Sequence, residues 1–564
     1  MKKNIKVLIG LVFFVNITYI VVRFFSIPLF NSLPSFILGL NLFIAELLGF
    51  FAYIVYVFVF TGNKTVQPKN IEDLKGHIPS IDIFICTYNE DMVVLTKTIM
   101  AAKKLIYPKD KISIYVLDDG NRKYLHDLCD NFYNVNYISR KKAVNAKAGN
   151  INNALTQTSG ELFTVLDADM ICKPNYLLET VGYFSNEKLA FVQTPQTFYN
   201  ADVYQYNISK EFPNEQDFFM RYIENARASR DSVLHIGTNA IFRRKYVEKI
   251  GLYPTNSITE DMALGLLLQA QGYDSIFLNK TLVCGLSAIT YADLIKQRDR
   301  WCRGNLQVLK NYKHIIFKKL KFKQKIIYLD GILYWLSGLT KLTFILTPIL
   351  YLFTGYTIVN LPPKFLFPLF LTAFIMQIML SKKILPKEIS SHYFNFFMRG
   401  EFYNTIIAPH LSMSVIKHYL FNNFTGNKFN VTKKDFSTSK GHFYLKFAYI
   451  HIILLILCIT SIIVGSLKLN NGIYLDSYII NTFWVLYNIP GLIIALKLAY
   501  QPPRALETEG HIIKNNQRII TNLEIQQYIN DLSYSNLSDC MDCLLDNLQP
   551  YSSNLTIKKT GNKH

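Results

Sequence analysis

The sequence predicts a molecule of two parts: an α/β domain set between apolar helices that cross a membrane, two before it and four after it. Three observations carry this. Long apolar runs lie towards the two ends of the chain and flank a charge-rich region from 62 to about 325. Within that region short β-rich runs alternate with helical stretches, the pattern of a parallel sheet with helices on its faces. Three of those runs end in acidic or polar clusters, as strands do when their carboxyl ends line a crevice.

Composition agrees. Half of the 564 residues are hydrophobic and 14% are aromatic, yet 18% are charged, with a formal net charge of +20. The basic residues cluster beside the apolar runs and not in one patch. Positive-inside topology and an anionic substrate account for the excess, and nucleic acid is excluded as the partner. The eight cysteines (86, 129, 172, 284, 302, 458, 540 and 543) lack paired metal-ligand spacing. Cys540-x-x-Cys543 stands without a second pair for zinc, so packing roles in a reducing compartment are expected.

In chain order, Lys2, Lys3 and Lys6 precede an apolar run from about Val7 to Phe25, and a second run covers about Ser35 to Phe60. With no small-residue cleavage site between them, two linked helices fit better than a signal peptide. Four further spans are expected at about 331–354, 365–380, 444–466 and 477–499, each near the length that crosses ~30 Å of hydrocarbon, the second of them marginal. The loop Phe30 to Pro34 is uncharged, and 355–364 and 467–476 hold only Lys364 and Lys468. Segment 381–443 instead carries Lys382, Lys383, Lys387, Arg399, Lys417, Lys428, Lys433, Lys434 and Lys440. An even number of spans with both termini inside satisfies every loop, which places the α/β domain in the cytosol beneath the plasma membrane. Glu401 to Phe421 mixes apolar and polar residues and reads as a helix lying at the interface. Glu46 and Lys341, inside apolar runs, read either as lining for a polar conduit or as contacts between helices.

The candidate chemistry sits at the strand ends. IDIFICTYNE closes on Thr87-Tyr88-Asn89-Glu90, KISIYVLDDG on Asp118-Asp119-Gly120, and ELFTVLDADM on Asp167-Ala168-Asp169. Asp167 and Asp169, one residue apart, offer hard oxygens to Mg2+ or Mn2+, with substrate phosphates completing the shell. No Walker motif and no G-x-G-x-x-G follows a strand, which argues against a P-loop ATPase and a dinucleotide enzyme. Lys147, beside Gly149, puts a cation where a helix N-terminus and a phosphate could meet. In Thr259-Glu260-Asp261, Asp261 either caps the following helix or serves as a general base for a hydroxyl nucleophile, with Glu260 at its side. IKQRDRWCRGNLQ contains Gln297, Arg300 and Trp301 as Q-x-x-R-W. The indole offers a face that stacks on a sugar ring and the guanidinium a fork for phosphate; the plainer reading is a basic helix anchored at the interface by its Trp.

The series TYNE, DDG, KAGNINNAL, LDAD, QTP, GTNAIFRR, TED and QRDRW resembles the processive family 2 glycosyltransferases, above all the bacterial cellulose synthase catalytic subunits, over about 79 to 310. Phe429-Asn430-Val431-Thr432-Lys433-Lys434 is similar to the F-x-V-T-x-K gating loop of cellulose-synthase-like enzymes. The resemblance implies two N-terminal spans (1–61), a GT-A domain (62–325), a transmembrane channel region (326–500) and a tail (501–564). It implies UDP-glucose as donor, Mg2+ or Mn2+ as cofactor, and inverting transfer onto a growing polysaccharide that leaves through the bilayer. Thr87, Tyr88, Glu90 and Asp118 or Asp119 would hold the uridine, Lys147 the nucleotide, and Asp167 with Asp169 the metal. Asp261 would be the base. Gln297, Arg300 and Trp301 would hold diphosphate and acceptor sugar, and Phe429, Val431, Thr432 and Lys434 would cover the donor.

Two departures qualify the resemblance. Where cellulose synthases read F-F-C-G-T, this chain reads Leu234-His235-Ile236-Gly237-Thr238. The linkage therefore stays open between β-1,4 and a mixed β-1,3/1,4 or capsular β-glucan. In the tail, Arg504 and Asp531 to Asn536 are similar to the start of a PilZ domain, but Thr508 and Asn536 replace the second Arg and the Gly of its motifs. A degenerate or absent response to cyclic di-GMP is expected. A homo-oligomer and an accessory subunit are both compatible with this reading. The rival readings are a non-processive lipid-sugar transferase and a transporter with a nucleotide-sensing domain.

Overall fold

Two apolar helices, α1 (Lys3–Phe25) and α2 (Leu33–Phe60), open the chain. Ser32 caps α2 by accepting from the Ser35 amide at 3.3 Å, with Pro34 in the first turn, where its missing N–H costs nothing. The computed structural model describes residues 3–62, 66–132, 134–421, 441–469 and 473–502. Phe429, Val431, Thr432 and Lys434, the tail motif from Arg504 to Asn536, and Cys540 and Cys543 lie outside the described residues.

Next comes a seven-stranded sheet: β1 (Ile81–Thr87), β2 (Ile112–Asp118), β3 (Val135–Ser139), β4 (Leu162–Asp167), β5 (Leu189–Gln193), β6 (Ala240–Arg243) and β7 (Asp274–Phe277). Its order is β3-β2-β1-β4-β6-β5-β7. β1 is buried at every position, as a central strand covered on both faces must be. Register does the assembling: Thr87 pairs with Asp118, and Cys86 with Asp167. The three polar strand ends expected from sequence thus meet along one edge. The sheet is not wholly parallel, however, because β6 runs antiparallel to both β4 and β5. Reversal brings the loop before β6 to that same edge, where the Asn239 amide donates to Val165 O at 3.0 Å. Helices α3 (Ala146–Leu155), α4 (Glu260–Ala270) and α5 (Tyr291–Lys318) complete the crevice.

The chain then enters α6 (Phe322–Leu333), a 3-10 turn (Tyr334–Leu336) and α7 (Ser337–Thr354). After these come α8 (Pro363–Ile384), α9 (Tyr393–Phe421), α10 (Leu445–Leu467) and α11 (Leu475–Ala499). Among the described residues six helical stretches are long and apolar enough to cross a membrane: α1, α2, Phe322–Thr354, α8, α10 and α11. The fold class is therefore the expected one, two spans before the α/β domain and four after it. The third span starts at Phe322, earlier than the apolar run alone indicates, because a basic first turn is continuous with it.

α9 begins at Tyr393 rather than Glu401. It buries Thr405, Ile406, Leu411 and Val415 while exposing Met413, Ile416, Tyr419 and Leu420, and it packs on α5, α7 and α11. That two-faced pattern is the amphipathic one. Glu46 and Lys341 both settle as contacts between helices. Arg23 Nε meets Glu46 Oε2 at 2.8 Å, with Tyr19 OH donating to Glu46 Oε1 at 3.2 Å; Lys341 Nζ meets Glu401 Oε2 at 2.9 Å. The six described cysteines are all buried and free.

Candidate active site

The site is built from the ends of β1, β2 and β4, the loop before β6, and the N-terminal parts of α4 and α5. At the end of β1 the turn folds back on itself. Thr87 Oγ1 donates to Glu90 Oε2 at 2.8 Å and the Tyr88 amide to the same oxygen at 2.7 Å, leaving the Tyr88 ring 47% exposed. Asp118 is fully buried and accepts from the Gly120 amide (2.9 Å), the Arg122 amide (2.7 Å), Tyr137 OH (3.0 Å) and the Arg122 guanidinium (3.0 Å). Arg122 also donates to Thr87 Oγ1 at 2.7 Å. Asp119 is gripped on both oxygens by Arg140, at 2.6 and 2.7 Å. Asp118 and Asp119, one or the other of which was expected at the uridine, are thus each held by an arginine that the sequence motifs did not single out.

Lys147, in the first turn of α3, pairs with Asp167 Oδ1 and donates to Gly237 O at 2.7 Å. Burial works against its charge, but Asp167, together with Cys86 and Glu260, outweighs that and raises its pKa. The Asp167 amide donates to Thr238 Oγ1 at 3.2 Å. Buried Asp169 accepts from the Leu286 amide at 2.9 Å.

Gly237 is the hinge of this arrangement. Its φ is +88°, and a Cβ there would lie 2.8 Å from Asp261 Oδ2, so a side chain would strain the backbone and displace the Asp261 carboxylate. Asp261 lies in the first turn of α4 behind the N-cap Thr259 and accepts from the Met262 amide at 2.8 Å. Burial raises the pKa of Asp261; burial and the charge of Asp261 raise that of Glu260. Arg300 and Lys147 pull both downwards. The departing sequence Leu234 to Thr238 is stitched to β5: Gln193 Oε1 meets His235 Nδ1 at 3.0 Å and the Ile236 amide at 3.3 Å, and Gln193 Nε2 donates to Thr238 O at 2.8 Å. Burial, then the Lys147 charge, pushes His235 down to about 3, so it is neutral.

Gln297, Arg300 and Trp301 fall at i, i+3 and i+4 of α5 and share one face. Gly304, one turn on, brings α5 against the Thr259 turn. A Cβ there would stand 2.4 Å from Thr259 Cγ2, and Ser257 Oγ donates to Gly304 O at 3.2 Å. Arg298 is the residue that sequence reasoning passed over. It is buried, pairs with Glu215, and lies 4.5 Å from the centre of the Trp301 ring and 5.7 Å from that of Tyr403 on α9. Its place inside Q-R-D-R-W was visible; its acidic partner, far away in sequence, was not.

Residues 162–380 match the family described as "Glycosyl transferase family group 2", covering β4 through α8 and with them Asp167, Asp169, Asp261 and the whole of α5. That stretch is similar to a family 2 glycosyltransferase domain. The chain is 30% identical over 484 residues to a cellulose synthase catalytic subunit (UDP-forming) of Pseudomonas fluorescens (strain SBW25), covering 84% of this chain and 64% of that one. It is 27% identical over 530 residues to the like-named subunit of Komagataeibacter sucrofermentans (91% and 67%), and 28% identical over 482 residues to putative cellulose synthase 2 of Komagataeibacter xylinus (84% and 31%). The chain thus spans less than two thirds of the Pseudomonas protein and less than one third of the last. Among solved structures, a mannosyltransferase from Pyrobaculum calidifontis in complex with GDP-Man and Mn2+ overlaps at 16% identity and a TM-score of 0.48, covering 68% of this chain and 99% of that one.

The donor set suits a hard divalent cation of the Mg2+ or Mn2+ kind. Among the described residues no group of three or more His, Cys, Asp or Glu forms a closed cage. Two carboxylates from one strand end remain, Asp167 and Asp169, and such ions commonly take one or two carboxylates and fill the rest with phosphate oxygens and water.

Proposed function

We propose that this protein is a processive, inverting glucosyltransferase of the membrane: it extends a β-glucan from UDP-glucose on the cytosolic side and passes the chain outward between its helices. One observation supports this most. Asp261 lies against Gly237, whose carbonyl holds Lys147, which in turn pairs with Asp167. A carboxylate fit to take a proton therefore faces a cation and a D-x-D end across a single glycine.

In this reading the hydroxyl of the acceptor sugar attacks the anomeric carbon, and Asp261 accepts its proton as the new C–O bond forms. The bond from that carbon to the UDP oxygen breaks, and its electron pair leaves on the diphosphate. Arg300 and Lys147, whose charges act on Glu260 and Asp261, would stabilise this charge. A divalent ion bound at Asp167 and Asp169 would supply further charge neutralisation at the diphosphate. Trp301 offers the acceptor sugar a stacking face, while Arg298 and Glu215 fix its ring.

Membranes given radiolabelled UDP-glucose and Mg2+ should form high-mass product, and Asp261→Asn should lower kcat by at least about a hundredfold. A chloroform-soluble product would favour lipid-sugar transfer, and no product at all a transporter. Ile236, partly exposed and next in sequence to Gly237, stands where the resemblance leads one to expect Cys, which favours a second reading with mixed β-1,3/1,4 linkage. Digestion of the polymer with linkage-specific glycosidases separates the two.

A further inference from the structure

At the foot of the third span the chain makes an elbow, from the end of α5 through Leu320 into α6. Between 310 and 325 the sequence holds seven lysines and no acidic residue. Ile316 and Leu320 are buried and anchor the elbow from within. Its geometry is fixed, since the Lys321 amide donates to Gln324 Oε1 at 3.1 Å and Gln324 Nε2 to Asp231 O at 2.7 Å. Lys310, Lys313, Lys318, Lys319, Lys321 and Lys323 are exposed. Among the described residues none of the seven lysines pairs with a carboxylate. Among these lysines two large rings, Phe317 and Phe322, stand out, 54% and 76% exposed.

Position decides what meets such a surface. α6 continues directly into the span that ends at Thr354, so the elbow lies where headgroups lie on the side of the α/β domain. Lysine ammonium groups attract anionic headgroups within a Debye length, their stems and the two rings reaching the acyl boundary. We propose that the α5–α6 elbow is a docking surface for anionic phospholipid, with the lysines on the headgroup phosphates and Phe317 and Phe322 inserted among the chains. The proposal is independent of the sugar donor.

The test uses the full chain purified in detergent, with native mass spectrometry counting retained lipid after addition of dioleoylphosphatidylglycerol or dioleoylphosphatidylcholine. The parent should keep phosphatidylglycerol and lose phosphatidylcholine. Lys318→Gln, Lys319→Gln, Lys321→Gln and Lys323→Gln combined should lower phosphatidylglycerol retention roughly tenfold or more at an unchanged melting temperature, since all four side chains are exposed. Equal retention of the two lipids by the parent would overturn the proposal, as would undiminished phosphatidylglycerol on the variant. Displacement of the lipid by millimolar inorganic phosphate would also overturn it, marking a small-anion site instead.

Discussion

At Gly237 a left-handed backbone and a 2.8 Å clearance to Asp261 coincide. Gly237→Ala should therefore push the Asp261 carboxylate, our proposed base, aside as well as strain the loop, lowering kcat at least about tenfold while the protein still folds and binds UDP. An alanine variant with full activity would mean that Asp261 need not stand where it does. The charge state of Asp261 gives a second expectation. It takes a proton only when ionised, and burial lifts its pKa above the ordinary carboxylate range. The acid limb of kcat/KM should then lie at higher pH than the value of about 4 typical of a free carboxyl. Burial and the ionised Asp261 push Glu260 up to about 7, so it is neutral while Asp261 titrates; Glu260→Gln should leave that limb in place, and a move to lower pH would show Glu260 to ionise first. The acids of this site were legible in the sequence, because each ends a β-rich run. Arg122 and Arg140, which bind Asp118 and Asp119, were not. Nothing in a linear reading of Arg140 marks its carboxylate, which comes within reach only once β2 and β3 lie side by side.

Among the elements, the strands showed themselves through unbroken runs of Ile, Val, Phe and Leu, and β1, β2 and β4 end where expected. The reversal of β6 was hidden, since AIFR carries no mark of direction and its partners are chosen by the sheet. α5 shows the same limit. Its spacing put Gln297, Arg300 and Trp301 on one face, but the clamp of Glu215 and Arg298 on the indole depends on a residue far off in sequence. Arg298→Lys keeps the charge and loses the flat contact, worth about 1–2 kcal/mol when desolvated. The KM for an acceptor oligosaccharide should rise about 5- to 30-fold with the KM for UDP-glucose unchanged. A matched rise in both constants would assign Arg298 to the general fold. Glu215→Gln, which strands a buried cation, should cost about 3–5 kcal/mol of stability and show as a lower melting temperature.

For the whole molecule, the count and order of the spans were legible because hydrocarbon thickness sets a minimum apolar length. Partners between spans were not: Glu46 stood alone in its apolar run, while Arg23, which meets it, sits across the α1–α2 turn. Glu46→Gln should leave that guanidinium stranded and destabilise the helical part by about 3–5 kcal/mol, whereas Arg23→Met with Glu46→Leu should recover most of the loss. Thermal unfolding in one detergent reads both; a single variant that melts with the parent would show the pair to be inert, and a double variant that melts no higher than the single would show that the loss is not the stranded charge. One consequence reaches further. α5 is a single rod of 28 residues, and the stretch from Trp301 to its foot is about 26 Å long at 1.5 Å per residue. A tilt of roughly 5° at the foot moves the indole by about 2 Å, a misplacement large enough to change a rate about a hundredfold. Bilayer thickness would then act as a throttle on the enzyme, and growth temperature, by altering acyl order, would set its pace with no effector bound.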